Sequence, residues 1–185
     1  MRLGVKAALV GQELVPGDDE ISDGAIESVG LSPAGTGGLA VPGFIDVQIN
    51  GFDGIDFATA EPNDYEAVAA RLAATGVTAF QPTLITLPPA DYLAARERLG
   101  ATTIRSGRIL GMHLEGPFLS PARCGAHDPA NMLDPDLDLT ARFLESGLVT
   151  QMTIAPELPG ALEVIDLLVK ACLLYTSPSP RDLRH

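Results

Sequence analysis

Hydrophobic and polar positions change rhythm once along this chain. Up to residue 41 the apolar residues come in short runs broken by turn formers. Residues 3–10 form one such run, Val15-Pro-Gly-Asp-Asp19 reads as a turn, and Asp23-Gly24 leads into the alternating Ala25-Ile-Glu-Ser-Val-Gly30. Short runs of this kind predict strands joined by turns. Residues 32–38, SPAGTGG, read as a flexible connector. Their glycine spacing, and the strand rather than helix that follows, exclude a dinucleotide-binding fingerprint.

From residue 42 strand and helix patterns alternate. Buried strands are predicted over residues 44–50, 77–83, 108–114 and 149–154. Helical spacing of apolar residues predicts helices over 63–75, 89–99, 136–145 and 159–170, with Gly76 and Gly147 as C-terminal stops for the first and third. Residues 115–134 form a long loop rich in Gly, Pro and Asp. Four βα units with short connections imply a parallel sheet with right-handed crossovers. A complete four-stranded doubly wound sheet and the first half of a (β/α)8 barrel both satisfy that pattern. The polar strand ends favour the barrel: Gln48 and Asn50, Gln81 and Thr83, His113 and Glu115, then Pro156 and Glu157. A ring of polar residues at the C-terminal ends of successive strands is where barrel enzymes place their sites.

Composition narrows the partners. A net charge of −12 over 185 residues argues against nucleic acid and against an anionic membrane surface, both of which reward Lys and Arg on one face. No apolar run reaches the roughly 18 residues of a membrane span. The start, MRLGVKAALVGQEL, turns polar too soon for a secretory signal. The cysteines Cys124 and Cys172 match neither a disulfide framework nor a zinc motif. A soluble, acidic, cytoplasmic protein is expected.

Three segments carry candidate chemistry. In Gly111-Met-His-Leu-Glu-Gly-Pro117, His113 and Glu115 are two residues apart and so share one face of a strand. A carboxylate and an imidazole at a site mouth can bind a divalent metal. The structural alternative is a loop-capping Glu115 and a hydrogen-bonded core His113. In Gly125-Ala-His-Asp-Pro129, His127 beside a glycine can offer its ring and neighbouring backbone N–H groups to an anion, or it can be an exposed loop residue. In Gln48-Ile-Asn50 two amides alternate with an apolar residue on the first barrel strand. Amides are poor zinc ligands beside imidazole, but they hold water or substrate through hydrogen bonds.

Taken in order, DGAIESVG, PGFIDVQINGFDGIDF, QPTLIT, GMHLEGPFL, GAHDP and IAPE resemble the N-acetylglucosamine-6-phosphate deacetylase family of the amidohydrolase superfamily, over about residues 1–157. The resemblance implies an α/β fold: the N-terminal half of a (β/α)8 amidohydrolase barrel over residues 42–170, preceded over 1–41 by part of a small β-sandwich. It implies metal-dependent hydrolysis of the acetamide of N-acetylglucosamine 6-phosphate, a small-molecule sugar phosphate. Glu115 matches the family's carboxylate ligand for one divalent metal, zinc in the first instance, with iron or another divalent ion as the alternative. Ala126 and His127 match a substrate-contacting pair. Gln48 and Asn50 stand where two-metal relatives have histidines, and His113 is a neighbour of the metal site rather than a ligand. The full-length enzyme is expected to be a homodimer.

The family's metal-binding histidines and general-base aspartate lie on later strands, so no catalytic residue is expected within this chain. After Lys170 the family pattern stops, and residues 171–185, ACLLYTSPSPRDLRH, read as a non-native tail because their Ser-Pro-Ser-Pro run cannot continue a helix. The chain is therefore expected to be an inactive fragment that expresses poorly or associates. Two other readings compete: an amidohydrolase acting on another N-acyl sugar or amino acid, and a non-catalytic sugar-phosphate-binding domain complete at this length.

Overall fold

The structure, a computed structural model, describes residues 1–176. The chain divides into two compact units, Met1–Gly43 and the remainder from Phe44 onward.

In the first unit β1 (Ala7–Val10) pairs antiparallel with β2 (Glu13–Pro16) and parallel with β5 (Leu39–Ala40), while β3 (Asp18–Ser22) and β4 (Ala25–Leu31) form a separate antiparallel hairpin. Asp23 and Gly24 make the expected turn, both at positive φ. The turn expected over residues 15–19 is instead two strands separated by one residue. Gly17 supplies the break at φ +122, and a Cβ there would lie 2.3 Å from the Gly30 carbonyl carbon, so only glycine permits the approach. The two aspartates that read as turn formers are buried strand residues. The Asp18 carboxylate accepts hydrogen bonds from the backbone N–H of Val5 and of Asp19, at 3.0 and 2.9 Å. The connector over residues 32–38 contains no strand or helix, but Gly35 and Gly37 donate to the carbonyls of Val5 and Gly4.

The second unit opens with β6 (Phe44–Ile49) and a small hairpin of β7 (Gly51–Phe52) and β8 (Ile55–Asp56). There follow α1 (Pro62–Ala73), β9 (Val77–Leu84), α2 (Pro89–Gly100), β10 (Arg108–Ile109), β11 (Met112–Glu115), α3 (Leu137–Leu144), β12 (Val149–Thr153), α4 (Ala161–Lys170) and β13 (Leu174–Thr176). The strand expected over 108–114 is split. Gly111 sits at φ +109, and a Cβ there would be 2.4 Å from Thr150 Oγ1. Both halves pair with β9, β10 at Ala79 and Phe80 and β11 at Thr83 and Leu84. The strands lie side by side in chain order, β6, β9, β10 with β11, β12, β13, and every pairing in this sheet is parallel. The sheet thus continues past Lys170 to Thr176; the rest of the tail lies outside the described residues.

The period of two sorts the strand residues. Phe80 and Leu84, Met112 and Leu114, and Met152 and Ile154 belong to one core with Tyr65, Val68 and Leu72 of α1, Tyr92 and Leu99 of α2, Phe143 of α3 and Leu168 of α4. The residues between them, Gln81 and Thr83, His113, Gln151 and Thr153, are polar and buried. Helix-facing positions are therefore apolar, and the alternate positions form a polar row. The exception is β6. It was expected to be buried, yet Phe44, Ile45 and Val47 are 70, 62 and 50% exposed, because β6 pairs only with β9 among the described residues.

Side chains tie the helices to their loops. Glu66 of α1 accepts from the backbone N–H of Arg105 and from Ser106 Oγ, both at 2.7 Å, and these bonds, the Ser106 hydroxyl first, hold its carboxyl below the ordinary range. Arg98 of α2 donates to the carbonyls of Ala60 and Ala58. Asp136 caps α3, its carboxylate accepting from Leu139 N–H at 2.7 Å. Asp136→Ala is expected to lower stability by about 1 kcal/mol, the usual cost of losing a side-chain N-cap; a denaturation midpoint equal to wild type would contradict that role. No helix among the described residues is long and apolar enough to cross a membrane.

Candidate active site

The polar row ends at the C-terminal edge of the sheet, where β6, β9 and β11 deliver Gln48, Asn50, Thr83 and Glu115. Glu115 is the last residue of β11, and Gly116 turns the chain away at φ +105. A Cβ on Gly116 would stand 2.4 Å from Thr86 Oγ1, so the glycine makes room for the segment after β9. Gln48 Nε2 donates to Glu115 Oε1 at 3.1 Å. His127, carried by the long loop, also reaches this carboxylate, with Nε2 3.8 Å from the same oxygen. The two side chains are 22 and 13% exposed, so this contact is partly shielded from water.

His127 is neither a free loop histidine nor an open anion cradle. Its backbone N–H donates to Cys124 O, leaving the ring to face the site, and Ala126 beside it is exposed. Nδ1 lies 3.2 Å from the Thr86 backbone N–H and 2.9 Å from Thr86 Oγ1. An amide N–H can only donate, so Nδ1 carries the lone pair and the ring proton sits on Nε2, toward Glu115.

The two amides of the first strand do different things. Gln48 reaches the carboxylate, whereas Asn50 Nδ2 donates to the Thr83 carbonyl at 3.3 Å and braces β6 against β9. His113 lies in the polar row below, 1% exposed, with Nδ1 3.2 Å from Thr83 Oγ1 and Nε2 2.8 Å from Thr153 Oγ1. Thr83 directs its hydroxyl to Gln81 O, so His113 Nδ1–H donates to Thr83 and Nε2 accepts from Thr153. Burial in this dry layer pushes the His113 pKa down to about 4, keeping the ring neutral. It is a hydrogen-bonded core histidine. Pro156 and Glu157 are exposed beyond the end of β12, so Gln151 and Thr153 hold the places in the row that sequence spacing assigned to them.

A cavity of about 490 Å³ opens next to this cluster, lined by Asn50, Phe52, Ile55, Thr83, Ile85 and Leu87 among others. It shares Asn50 and Thr83 with the row, but Glu115 and His127 do not line it. Among the described residues no three of His, Cys, Asp or Glu gather to hold a metal ion. A catalytic zinc takes about three protein ligands. One carboxylate with one imidazole therefore does not make a metal site by itself. What this cluster offers is an ionisable carboxylate with an amide donor and an imidazole N–H near the same oxygen. Thr86 is the participant that sequence reasoning left unnamed, although it closes the QPTLIT motif.

No protein-family model matches the chain. Human N-acetylglucosamine-6-phosphate deacetylase is 40% identical over 161 residues, covering 80% of this chain and 39% of that protein. N-acetylgalactosamine-6-phosphate deacetylase of Escherichia coli O157:H7 is 32% identical over 157 residues, covering 78 and 41%. In structure the chain is similar to a mutant N-acetyl-D-glucosamine-6-phosphate deacetylase of Mycobacterium smegmatis solved with N-acetyl-D-glucosamine 6-phosphate, with a TM-score of 0.81 at 36% identity, covering 94% of this chain and 48% of that one. The chain thus spans about two fifths of the length of the curated relatives it matches. Over the part they share, the chain is a homologue of the N-acetylglucosamine-6-phosphate deacetylases.

Proposed function

We propose that this chain is the N-terminal half of a deacetylase that hydrolyses the acetamide of N-acetylglucosamine 6-phosphate to glucosamine 6-phosphate and acetate. The observation that carries the reading is the convergence of Gln48, Glu115 and His127, from three segments far apart in sequence, at the C-terminal edge of a parallel sheet. On this reading the sheet is the first half of a (β/α)8 barrel, and its chain-order topology, with no reversal, supports the barrel over a doubly wound sheet. The polar row is then the barrel interior, and the short strands of the first unit are part of a β-sandwich.

Glu115 is this segment's one ligand to a divalent metal, zinc or alternatively iron, whose other ligands come from outside residues 1–176. Held there with ligands from outside the segment, such an ion would supply a lowered water pKa and Lewis-acid polarisation of the amide carbonyl. The general base likewise comes from outside. Within the chain, Gln48 orients the Glu115 carboxylate and His127 offers an N–H to an acceptor oxygen of the sugar phosphate, with Ala126 beside it. The working enzyme is a cytoplasmic homodimer, and the 185-residue chain alone is inactive. The Escherichia coli relative supports a second reading, in which the galactosamine epimer is the substrate.

The test joins this chain in frame to the segment that follows the matched region in the Mycobacterium smegmatis enzyme. Zinc-dependent acetate release from N-acetylglucosamine 6-phosphate, lost in Glu115→Gln, is expected. A hybrid that unfolds cooperatively yet releases no acetate from either epimer would overturn the proposal.

A further inference from the structure

Three segments meet at one side chain that the proposed reaction does not use directly. Thr86 follows β9 and is 2% exposed. Its backbone N–H and its Oγ1 lie 3.2 and 2.9 Å from His127 Nδ1. The same Oγ1 is 3.2 Å from the Glu115 carbonyl oxygen, and it fills the space that any side chain at position 116 would need. We infer that Thr86 is a positioning residue for His127: its N–H and hydroxyl both donate to Nδ1, so the imidazole is held in the tautomer that presents Nε2–H toward the mouth beside Glu115.

A neutral imidazole has one N–H and one lone pair, and which nitrogen carries the proton is set by the partner of the other. Were the proton on Nδ1, it would point at the Thr86 N–H, and Nε2 would turn a lone pair toward the Glu115 carboxylate 3.8 Å away. Both contacts would be repulsive. With the proton on Nε2, both are attractive. The hydroxyl can donate to Nδ1 or to the Glu115 carbonyl, and the shorter distance favours Nδ1. Gly116 is the structural counterpart: its missing Cβ leaves room for Oγ1 between the Glu115 turn and the His127 ring. A loop histidine thereby becomes a fixed single-proton donor for an acceptor oxygen on a ligand.

The ligand in this inference rests on the proposed function, but the tautomer does not. The test is long-range proton–nitrogen correlation on the 185-residue chain with nitrogen-15 histidine, the His127 signals being identified by their loss in His127→Gln. Wild type is expected to show a non-protonated Nδ1 and a protonated Nε2. A net hydrogen bond is a factor of about five in an equilibrium, so Thr86→Val should erode the tautomer ratio by about that factor, and Thr86→Ser should restore it. A dominant Nδ1–H form in wild type, or a ratio unchanged in a folded Thr86→Val, would overturn the inference. Adding N-acetylglucosamine 6-phosphate separates the two claims. In the in-frame hybrid that restores the rest of the site, a shift at His127 Nε2 supports the ligand reading, whereas no shift with the expected tautomer removes the ligand and leaves the Thr86 assignment standing.

Discussion

Acidifying the protein from pH 7 to pH 4 is expected to remove up to about 3 kcal/mol of folding stability through His113 alone. The folded pKa of about 4 lies below the ordinary 6.5 because burial disfavours the charged ring. The unfolded chain therefore binds a proton near pH 6.5 that the folded chain refuses. The stabilisation is complete above 6.5, falls as the pH drops toward 4, and changes no further below that. A shift of one unit is about 1.4 kcal/mol, which sets both the total and the steepest slope per pH unit. Deformation does not relieve the cost easily. His113 is 1% exposed, so a charged ring there would be cut off from water unless the fold opens. His113→Gln keeps an amide donor and acceptor for the two threonines but cannot titrate. Chemical unfolding of both proteins between pH 7 and 4 isolates the histidine from the chain's many carboxylates. Wild type should lose stability faster than His113→Gln over this window, and parallel curves would remove His113 as the cause.

Periodicity was enough for most of the fold because each strand of the parallel sheet is sorted by the same rule. Phe80, Met112 and Met152 face helices while Thr83, His113 and Thr153 do not, and the alternation is written in the sequence. The failures occur where the deciding partner is distant. Asp18 and Asp19 look like turn residues, and what makes a strand of them is distant: the pairing with β4 and the Val5 N–H that Asp18 accepts. Nothing local announces the break of β10 from β11 at Gly111, since the obstacle is the Thr150 side chain on the next strand. For the site, Glu115 was legible as the end of a strand stopped by Gly-Pro. The Gln48 contact and the tautomer of His127 were not, because both depend on segments 67 and 41 residues away. Thr86 was hidden for a related reason: a threonine in a strand-to-helix connection carries no chemical flag until its hydroxyl and N–H are seen to share one target.

At micromolar concentration the 185-residue chain is expected to self-associate through β6. Among the described residues β6 pairs only with β9, and an edge unpaired in this way offers a row of backbone donors and acceptors to any other strand, which natural sheets protect with charge, proline or cover. Here the strand carries Phe44, Ile45 and Val47 largely exposed, and Asp46, its lone charge, is half-buried. Ile45 and Val47 are two residues apart and so share one face, where a neighbouring chain would bury both. At the usual value of apolar burial their exposed portions contribute about 2 kcal/mol, or about thirtyfold in an association constant. The net charge of −12 opposes association at low salt, and screening by added salt weakens that opposition. Sedimentation velocity should therefore show larger species that grow with protein concentration and with sodium chloride. Ile45→Lys combined with Val47→Lys should weaken association by the stated factor, since lysine on an edge must be desolvated before a second strand can dock. A concentration-independent monomer in wild type would place the cover for β6 within the chain itself, and equal association in the double variant would move the contact to another surface.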